Sequence, residues 1–206
     1  MEQDDENLLL IFTRNPELGK CKTRLAAAVG DETALAIYIF LLKHTVAVTQ
    51  PLEVTKEVHY SSSIMEDDLW HPKIYHKKLQ LGSNLGERMA NAFAAGFNAG
   101  YKRIVIIGSD LYDLSTEDLK NAFSKLESNE IVIGPAKDGG YYLLGMTQNE
   151  PAIFKNKNWG TATVLKDTLA HLNNKSVYLL STKNDVDVLE DIINVPAFHP
   201  FLKNII

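Results

Sequence analysis

The run Ile104-Val105-Ile106-Ile107, followed at once by Gly108-Ser109-Asp110, constrains this chain more than any other stretch. Four branched apolar residues in a row read as a strand covered on both faces, which requires packing layers on each side of its sheet. The run then delivers a carboxylate to its carboxyl end. A helix opens just beyond: Ser115 or Thr116 can cap it, and Glu117 and Asp118 suit its positive end. In open α/β sheets the carboxyl edge is where ligands bind. Asp110 is therefore a candidate to hold a divalent metal against a nucleotide diphosphate, the plainer reading being a carboxylate that caps a turn.

The rest of the chain alternates in the same manner. Strands are predicted over Leu8–Phe12, Val54–Tyr60 (half-exposed by its alternation), Lys73–Leu79 (rich in Lys and His, near the sheet edge), Ile131–Gly134, Tyr141–Met146 and Ser176–Leu180. Helices are predicted over Asp31–Val48, with Asp31 as a possible cap, and over Leu85–Ala99, Thr116–Leu126, Thr161–Leu172 and Val186–Ile193. The segment from Pro196 is a tail packed on the body. Strand–helix alternation without linker, repeat or low-complexity segment predicts one α/β domain over residues 1–206: a three-layer α/β/α sandwich with a mostly parallel mixed sheet.

Composition excludes several classes of function. With 206 residues, 45% hydrophobic and a net charge of −5, the chain can bury a sizeable core but offers no broad basic field for nucleic acid. Cys21 is the only cysteine, so there is neither an intrachain disulfide nor a thiolate zinc site. The acidic N-terminus, Met1-Glu2-Gln3-Asp4-Asp5-Glu6, lacks the features of a secretory signal, and no apolar stretch is expected to span a membrane, which leads to the expectation of a cytoplasmic protein. The six histidines show no metal-ligand spacing.

Four segments could carry chemistry. Thr13 to Arg24 follows the first strand and sets Arg14, Lys20, Lys22 and Arg24 against one acid, Glu17. A turn at that place is a common phosphate site, the plainer reading being a solvated basic turn, and Gly19 would allow close backbone approach. Each charge-assisted contact to phosphate contributes about 1.5–3 kcal/mol. The spacing is not that of a Walker A loop. Gln80 to Met89 opens a helix that Asn84 can cap, with Gly82 and Gly86 permitting close approach. Asp138-Gly139-Gly140 is a turn that can present backbone amides, followed by Tyr141 and Tyr142, of which one need line a pocket. Asp185 and Asp187 follow the last strand. Two carboxylates about 4 Å apart repel by roughly 4 kcal/mol at an effective dielectric near 20. Magnesium, held by one or two carboxylates together with phosphate oxygens, would relieve that repulsion. Trp159-Gly-Thr-Ala-Thr163, at a helix entrance, could line the acceptor side.

In this order the motifs resemble a family of small bacterial nucleotide-diphospho-sugar transferases, some members of which are assigned to arsenosugar biosynthesis. The motifs are Phe12-Thr-Arg-Asn-Pro-Glu-Leu-Gly-Lys-Cys-Lys-Thr-Arg-Leu25, Gln80-Leu-Gly-Ser-Asn-Leu-Gly-Glu-Arg-Met89, Gly108-Ser-Asp-Leu-Tyr-Asp-Leu114, Gly134-Pro-Ala-Lys-Asp-Gly-Gly-Tyr-Tyr-Leu-Leu-Gly145, Trp159-Gly-Thr-Ala-Thr-Val-Leu165 and Asp185-Val-Asp187. The resemblance spans about Leu8 to Ile192 and implies a GT-A fold, shared with 2-phospho-lactate guanylyltransferases and molybdenum-cofactor nucleotidyltransferases. It implies Arg14, Lys20, Lys22, Arg24 and Gln80 on the nucleotide and its phosphates. It implies Asp110 and Asp187 (Asp185 as fallback) on Mg2+ or Mn2+; Asp110 and Asp138 are the candidate catalytic residues, Asp138 as a general base toward the acceptor hydroxyl. Asp138, Gly139, Gly140, Tyr141 and Trp159 would face the sugar or acceptor. Tyr112 stands where the family usually has proline, and Val188-Leu189 where the late motif usually continues Thr-Pro. The expected activity is transfer of a glycosyl unit from a nucleotide-sugar to a small-molecule acceptor. The alternatives are nucleotidyl transfer from a nucleoside triphosphate, or nucleotide binding without catalysis.

Overall fold

The computed structural model describes residues 4–203; the first residues of the acidic N-terminus (1–3) and the end of the C-terminal tail (204–206) lie outside the described residues. Seven strands form one sheet in the order β3-β2-β1-β4-β6-β5-β7: β1 Asp4–Thr13, β2 Val54–Tyr60, β3 His76–Leu79, β4 Arg103–Ile107, β5 Ile131–Pro135, β6 Tyr141–Met146 and β7 Val177–Leu179. β4 is the middle strand. Every pairing is parallel except the two made by β6, which runs against β4 and β5. The reversal follows from the sequence: the turn at Ala136–Gly140 leaves no room for a crossover, so the chain must double back.

The helices are α1 Thr23–Val29, α2 Asp31–Thr49, α3 Leu85–Asn98, α4 Thr116–Lys125 and α5 Val164–Ala170. Successive residues of β1 point to opposite layers. Leu9 and Ile11 join Tyr38 and Leu42 of α2 and Leu119 and Phe123 of α4, whereas Leu8 and Leu10 join Met89 and Phe93 of α3. The α/β/α sandwich with a mostly parallel mixed sheet is thus present. A third cluster unites α1, α2 and the C-terminal segment through Leu25, Ile37, Leu41, Phe198 and Leu202, so the tail does pack on the body.

Several elements differ from the sequence reading. β2 is buried along its whole length instead of half-exposed. Its charged side chains and its histidine are engaged: Lys56 donates to the carbonyls of Leu52 and Val54, and Glu57 pairs with His59 and Lys78. α1 lies at the end of the segment read as a loop; its N-cap, Lys22, is left-handed and makes no side-chain cap, so it carries no start signal. Asp31 lies inside α2, with Gly30 as its N-cap. α5 is shorter than predicted, and 186–193 forms only the 3-10 turn Leu189–Asp191. α2 itself reaches the length and apolarity of a membrane-crossing helix, correcting the expectation that no stretch would. Its broad inner side, Ala34, Ile37, Tyr38, Leu41, Leu42 and Thr45, is buried against the rest of the protein, as in a core helix.

Candidate active site

Since β1, β2, β3, β4, β5 and β7 run the same way, the segments leaving them emerge at one edge of the sheet. The cation-bearing turn leaves β1, Gln80 follows β3, Asp110 follows β4, Asp138 follows β5, and Asp185 and Asp187 follow β7. The two places on which the sequence reading rests do meet: Lys22 Nζ donates to Asp110 Oδ2 at 2.8 Å. The Lys22 side chain is only 7% exposed while that of Asp110 is 42% exposed, so the lysine is sheathed and the acid faces the site. Lys22 adopts φ 52°, ψ 43°, an uncommon conformation for a residue with a side chain, at the position that aims its ammonium at Asp110.

Two adjoining cavities occupy this edge. A cleft of about 880 Å³ holds Arg14, Lys20, Lys22, Arg24 and Arg88 together with Gln80, Asp110 and Asp187. A smaller pocket of about 260 Å³ holds Asp110, Asp138, Gly140, Tyr141, Trp159 and Asp185. Asp110 belongs to both, as do Phe12, Leu85 and Gly108.

The cleft cations are mostly held by acids. Lys20 pairs with Glu17 at 2.6 Å, and Arg24 pairs with Asp187. The Arg14 guanidinium makes no ion pair among the described residues. Its backbone is fixed instead by Tyr38, whose hydroxyl accepts from Arg14 N–H at 2.9 Å and also lies 3.2 Å from both Thr13 Oγ1 and Ser109 Oγ. One phenol from α2 therefore ties the exit of β1 to the exit of β4. Burial pushes the Tyr38 hydroxyl pKa up, so it stays protonated in this role. Gln80 is a brace: its amide donates to the carbonyls of Thr13 and His59 and accepts from Arg88. Asn84 caps α3 as expected, accepting from Glu87 N–H at 3.0 Å. Tyr38, Ser109 and Arg88 were not singled out from the sequence; a tyrosine at helical spacing on an apolar side gives no sign that its hydroxyl braces a distant loop.

On the pocket side, Asp185 is the acid that shares a wall with Asp110. Burial first, then the charges of Asp110 and Asp138, push its carboxyl pKa above the usual range. Asp187 lies on the cleft side with Arg24, and its backbone N–H donates to Asp191 at 2.8 Å. The Asp191 carboxylate also accepts from Val188 N–H and from the Asn184 amide, and these bonds outweigh burial and hold its pKa low. Asp138 accepts from Gly140 N–H at 2.8 Å. Tyr141 and Tyr142 both reach the pocket, where one sufficed in the sequence reading. The glycines serve approaches between protein segments. Gly139, at φ 89°, has the Ala162 backbone against it, where a Cβ would come within 2.3 Å, and its carbonyl accepts from Leu165 N–H; Gly86 makes room for the Trp159 indole. Tyr112 stacks on Phe40 with ring centroids 5.6 Å apart and meets Phe198 edge-on, anchoring the loop after Asp110 to α2 and the C-terminal segment.

Among the described residues no cluster of three or more His, Cys, Asp or Glu side chains could by itself hold a metal ion. Asp110 and Asp185 still suit a hard divalent cation: both offer oxygen, both line one pocket, and their like charges disfavour each other. Such a pair fits magnesium or manganese when phosphate oxygens complete the shell.

This architecture is the fold of nucleotide-diphospho-sugar transferases. A protein of Desulfovibrio desulfuricans G20 named "putative nucleotide-diphospho-sugar transferase" has 29% sequence identity to this chain and a TM-score of 0.83, with 97% of this chain and 95% of that one covered. The chain belongs to the family described as "Uncharacterized protein conserved in bacteria (DUF2064)", whose profile matches residues 42–161, more than half its length. At the level of fold alone, it is similar to 4-diphosphocytidyl-2C-methyl-D-erythritol synthase of Anaerococcus prevotii, at 11% identity, TM-score 0.60 and coverage of 96% and 98%. It is similar in the same way to Rv0371c of Mycobacterium tuberculosis, solved in complex with manganese, at 14% identity, TM-score 0.54 and coverage of 92% and 97%. No curated protein matches the chain.

Proposed function

We propose that this protein is a glycosyltransferase that moves a sugar from a nucleotide-diphospho-sugar to a small acceptor, with a divalent cation at Asp110 and Asp185. The observation that carries this reading is the 2.8 Å contact between Lys22 and Asp110, which joins a cationic phosphate cleft to a second pocket at one carboxylate. Arg14, Lys20, Lys22 and Arg24 bind the diphosphate, with Arg88 beside them. Their present partners, Glu17, Asp110 and Asp187, act as counterions until phosphate arrives. The ammonium of Lys22 then turns to phosphate oxygen and leaves Asp110 open. Asp110 and Asp185 would hold a magnesium or manganese ion, which would supply positive charge against that developing on the departing nucleoside diphosphate. Arg14 and Lys22 orient the leaving group, and Asp138 receives the acceptor proton. Tyr141 and Trp159 border the sugar and acceptor, with Gly139 and Gly140 shaping the turn that carries Asp138. A cytoplasmic setting belongs to the same reading, as does the absence of nucleic acid among its partners.

Nucleotidyl transfer from a nucleoside triphosphate is the second reading, favoured by the size and five cations of the cleft. Thermal-shift measurements with nucleoside diphosphates, triphosphates and nucleotide-sugars, with and without Mg2+ or Mn2+, test the site. Product analysis separates the reactions: released nucleoside diphosphate supports glycosyl transfer, and released pyrophosphate supports nucleotidyl transfer. If no nucleotide shifts the melting temperature under any condition, both readings fail.

A further inference from the structure

The small pocket differs in kind from the cleft beside it. None of its lining residues is Lys, Arg or His, while three are carboxylates: Asp110, Asp138 and Asp185. Lys22 neutralises Asp110, but among the described residues no cation forms an ion pair with Asp138 or Asp185. The other walls are mainly hydrocarbon and aromatic, Met89, Ile106, Val164, Tyr141 and Trp159 among them. Trp159 stands edge-on to Tyr141, with ring centroids 6.4 Å apart and planes at 84°. The indole is seated by α3: a Cβ at Gly86 would fall 2.7 Å from both Trp159 Nε1 and the Phe154 carbonyl. The aromatic corner therefore exists before any ligand arrives.

Even with a divalent cation on Asp110 and Asp185 the three carboxylates leave a net negative charge, and the donor diphosphate that completes the cation's shell adds more, so an acceptor bearing phosphate or carboxylate is repelled between walls too apolar to solvate it. An alcohol with a hydrocarbon body meets no such penalty and gains from the walls. At about 30 Å³ per water-sized group, the volume admits roughly nine such groups, a single ring with a short substituent. We propose that this pocket receives the acceptor, and that the acceptor is a small alcohol with an apolar body and no anionic group. The inference rests on the glycosyl-transfer reading above. In the reaction, the acceptor oxygen forms a bond to the anomeric carbon as the anomeric carbon–phosphate oxygen bond breaks. The bonding pair leaves with the nucleoside diphosphate, and the hydroxyl proton passes to the Asp138 carboxylate.

Benzyl alcohol and benzyl phosphate share a ring and differ by the anion, so they make a matched pair of probes. Each is titrated onto the full chain in the presence of excess pyrophosphate to fill the cleft, and binding is followed by saturation-transfer NMR. The expected result is saturable binding of the alcohol, with the phosphate ester weaker by about tenfold or more. Trp159→Ala should weaken the alcohol by about tenfold while leaving the pyrophosphate thermal shift intact, which also shows that the variant is folded. Asp185→Asn should narrow the gap between the two probes several-fold. Equal or tighter binding of benzyl phosphate, alcohol binding indifferent to Trp159, or an unchanged gap in Asp185→Asn would each overturn the proposal. If pyrophosphate itself produces no thermal shift, the donor reading fails, and the probe preference is then decided by the Trp159 and Asp185 variants alone.

Discussion

The cleft and the pocket lie at the same edge of the same sheet and share Phe12, Leu85, Gly108 and Asp110, yet they are built to opposite rules. The cleft draws its cations from one short turn and from the start of α3, and several are already matched to acids. The pocket draws on the reversed strand β6, the 159–164 entrance to α5 and the segment after β7, and it holds acids facing hydrocarbon. The difference shows how one carboxylate can serve two ligands: Asp110 is the only ionisable side chain lining both spaces, so charge supplied from the cleft side alters the field on the pocket side.

The sharpest way to break this division is to remove the shared carboxylate. Asp110→Asn should lower turnover by about 10²–10³-fold and abolish Mg2+-dependent thermal stabilisation; steady-state kinetics and melting curves read both, and retention of metal dependence would sever the two regions. Next in size is Lys22→Met. Loss of one charge-assisted phosphate contact should weaken nucleoside diphosphate binding by about 10–100-fold, while the uncovered Asp110 should make the nucleotide-free protein more responsive to Mg2+; calorimetric titration with each ligand checks the opposite signs.

Gly86→Ala should act mainly on the pocket. The added methyl must displace both the Trp159 indole and the Phe154 carbonyl, so the acceptor KM should rise by about tenfold, with some loss of Tm and a smaller change in nucleotide affinity. Tyr38→Phe should cost about 1–2 kcal/mol of stability, because Arg14 N–H and the Thr13 and Ser109 hydroxyls lose a buried partner; that corresponds to a drop of about 2–8 °C in Tm.

The smallest effect belongs to Asp185→Asn in the ligand-free protein, where Tm should rise at neutral pH. The sign follows from the raised carboxyl pKa: across that window the unfolded chain binds fewer protons than the folded one, so wild-type stability falls as pH rises. The variant lacks that loss, and its advantage should fade as pH is lowered through the folded and then the unfolded carboxyl pKa. A pH series of melting curves checks it.

The regions also differ in how far they could be read from residues alone. β4 and its acid were legible because an unbroken branched apolar run has few other uses, and the turn after β1 was legible because four cations in a short span stand out. The caps at Asn84 and Ser115 followed from their chemistry. What escaped was long-range. Tyr38 acts through a hydroxyl 24 positions from the turn it braces, Gly86 matters because an indole arrives from Trp159, and Gly139 because Ala162 does. The burial of β2 escaped because Lys56, Glu57 and His59 look solvated until their partners are known. In the pair Asp185 and Asp187, spacing gives no preference; the turn held by Asp191 sends one to the pocket and the other to Arg24.

The hydrogen bond from Val186 N–H to the Asp110 carbonyl, 3.2 Å long, stitches the end of the chain to the exit of its middle strand. Arg14, Lys22 and Asp110 all precede this contact by more than seventy positions, whereas Asp185 enters the site together with it. Asp185 is thus the last of the pocket's three carboxylates to leave the ribosome, and the cleft likewise gains Asp187 only after β7. Both spaces at this edge are therefore closed by the same late stretch of chain.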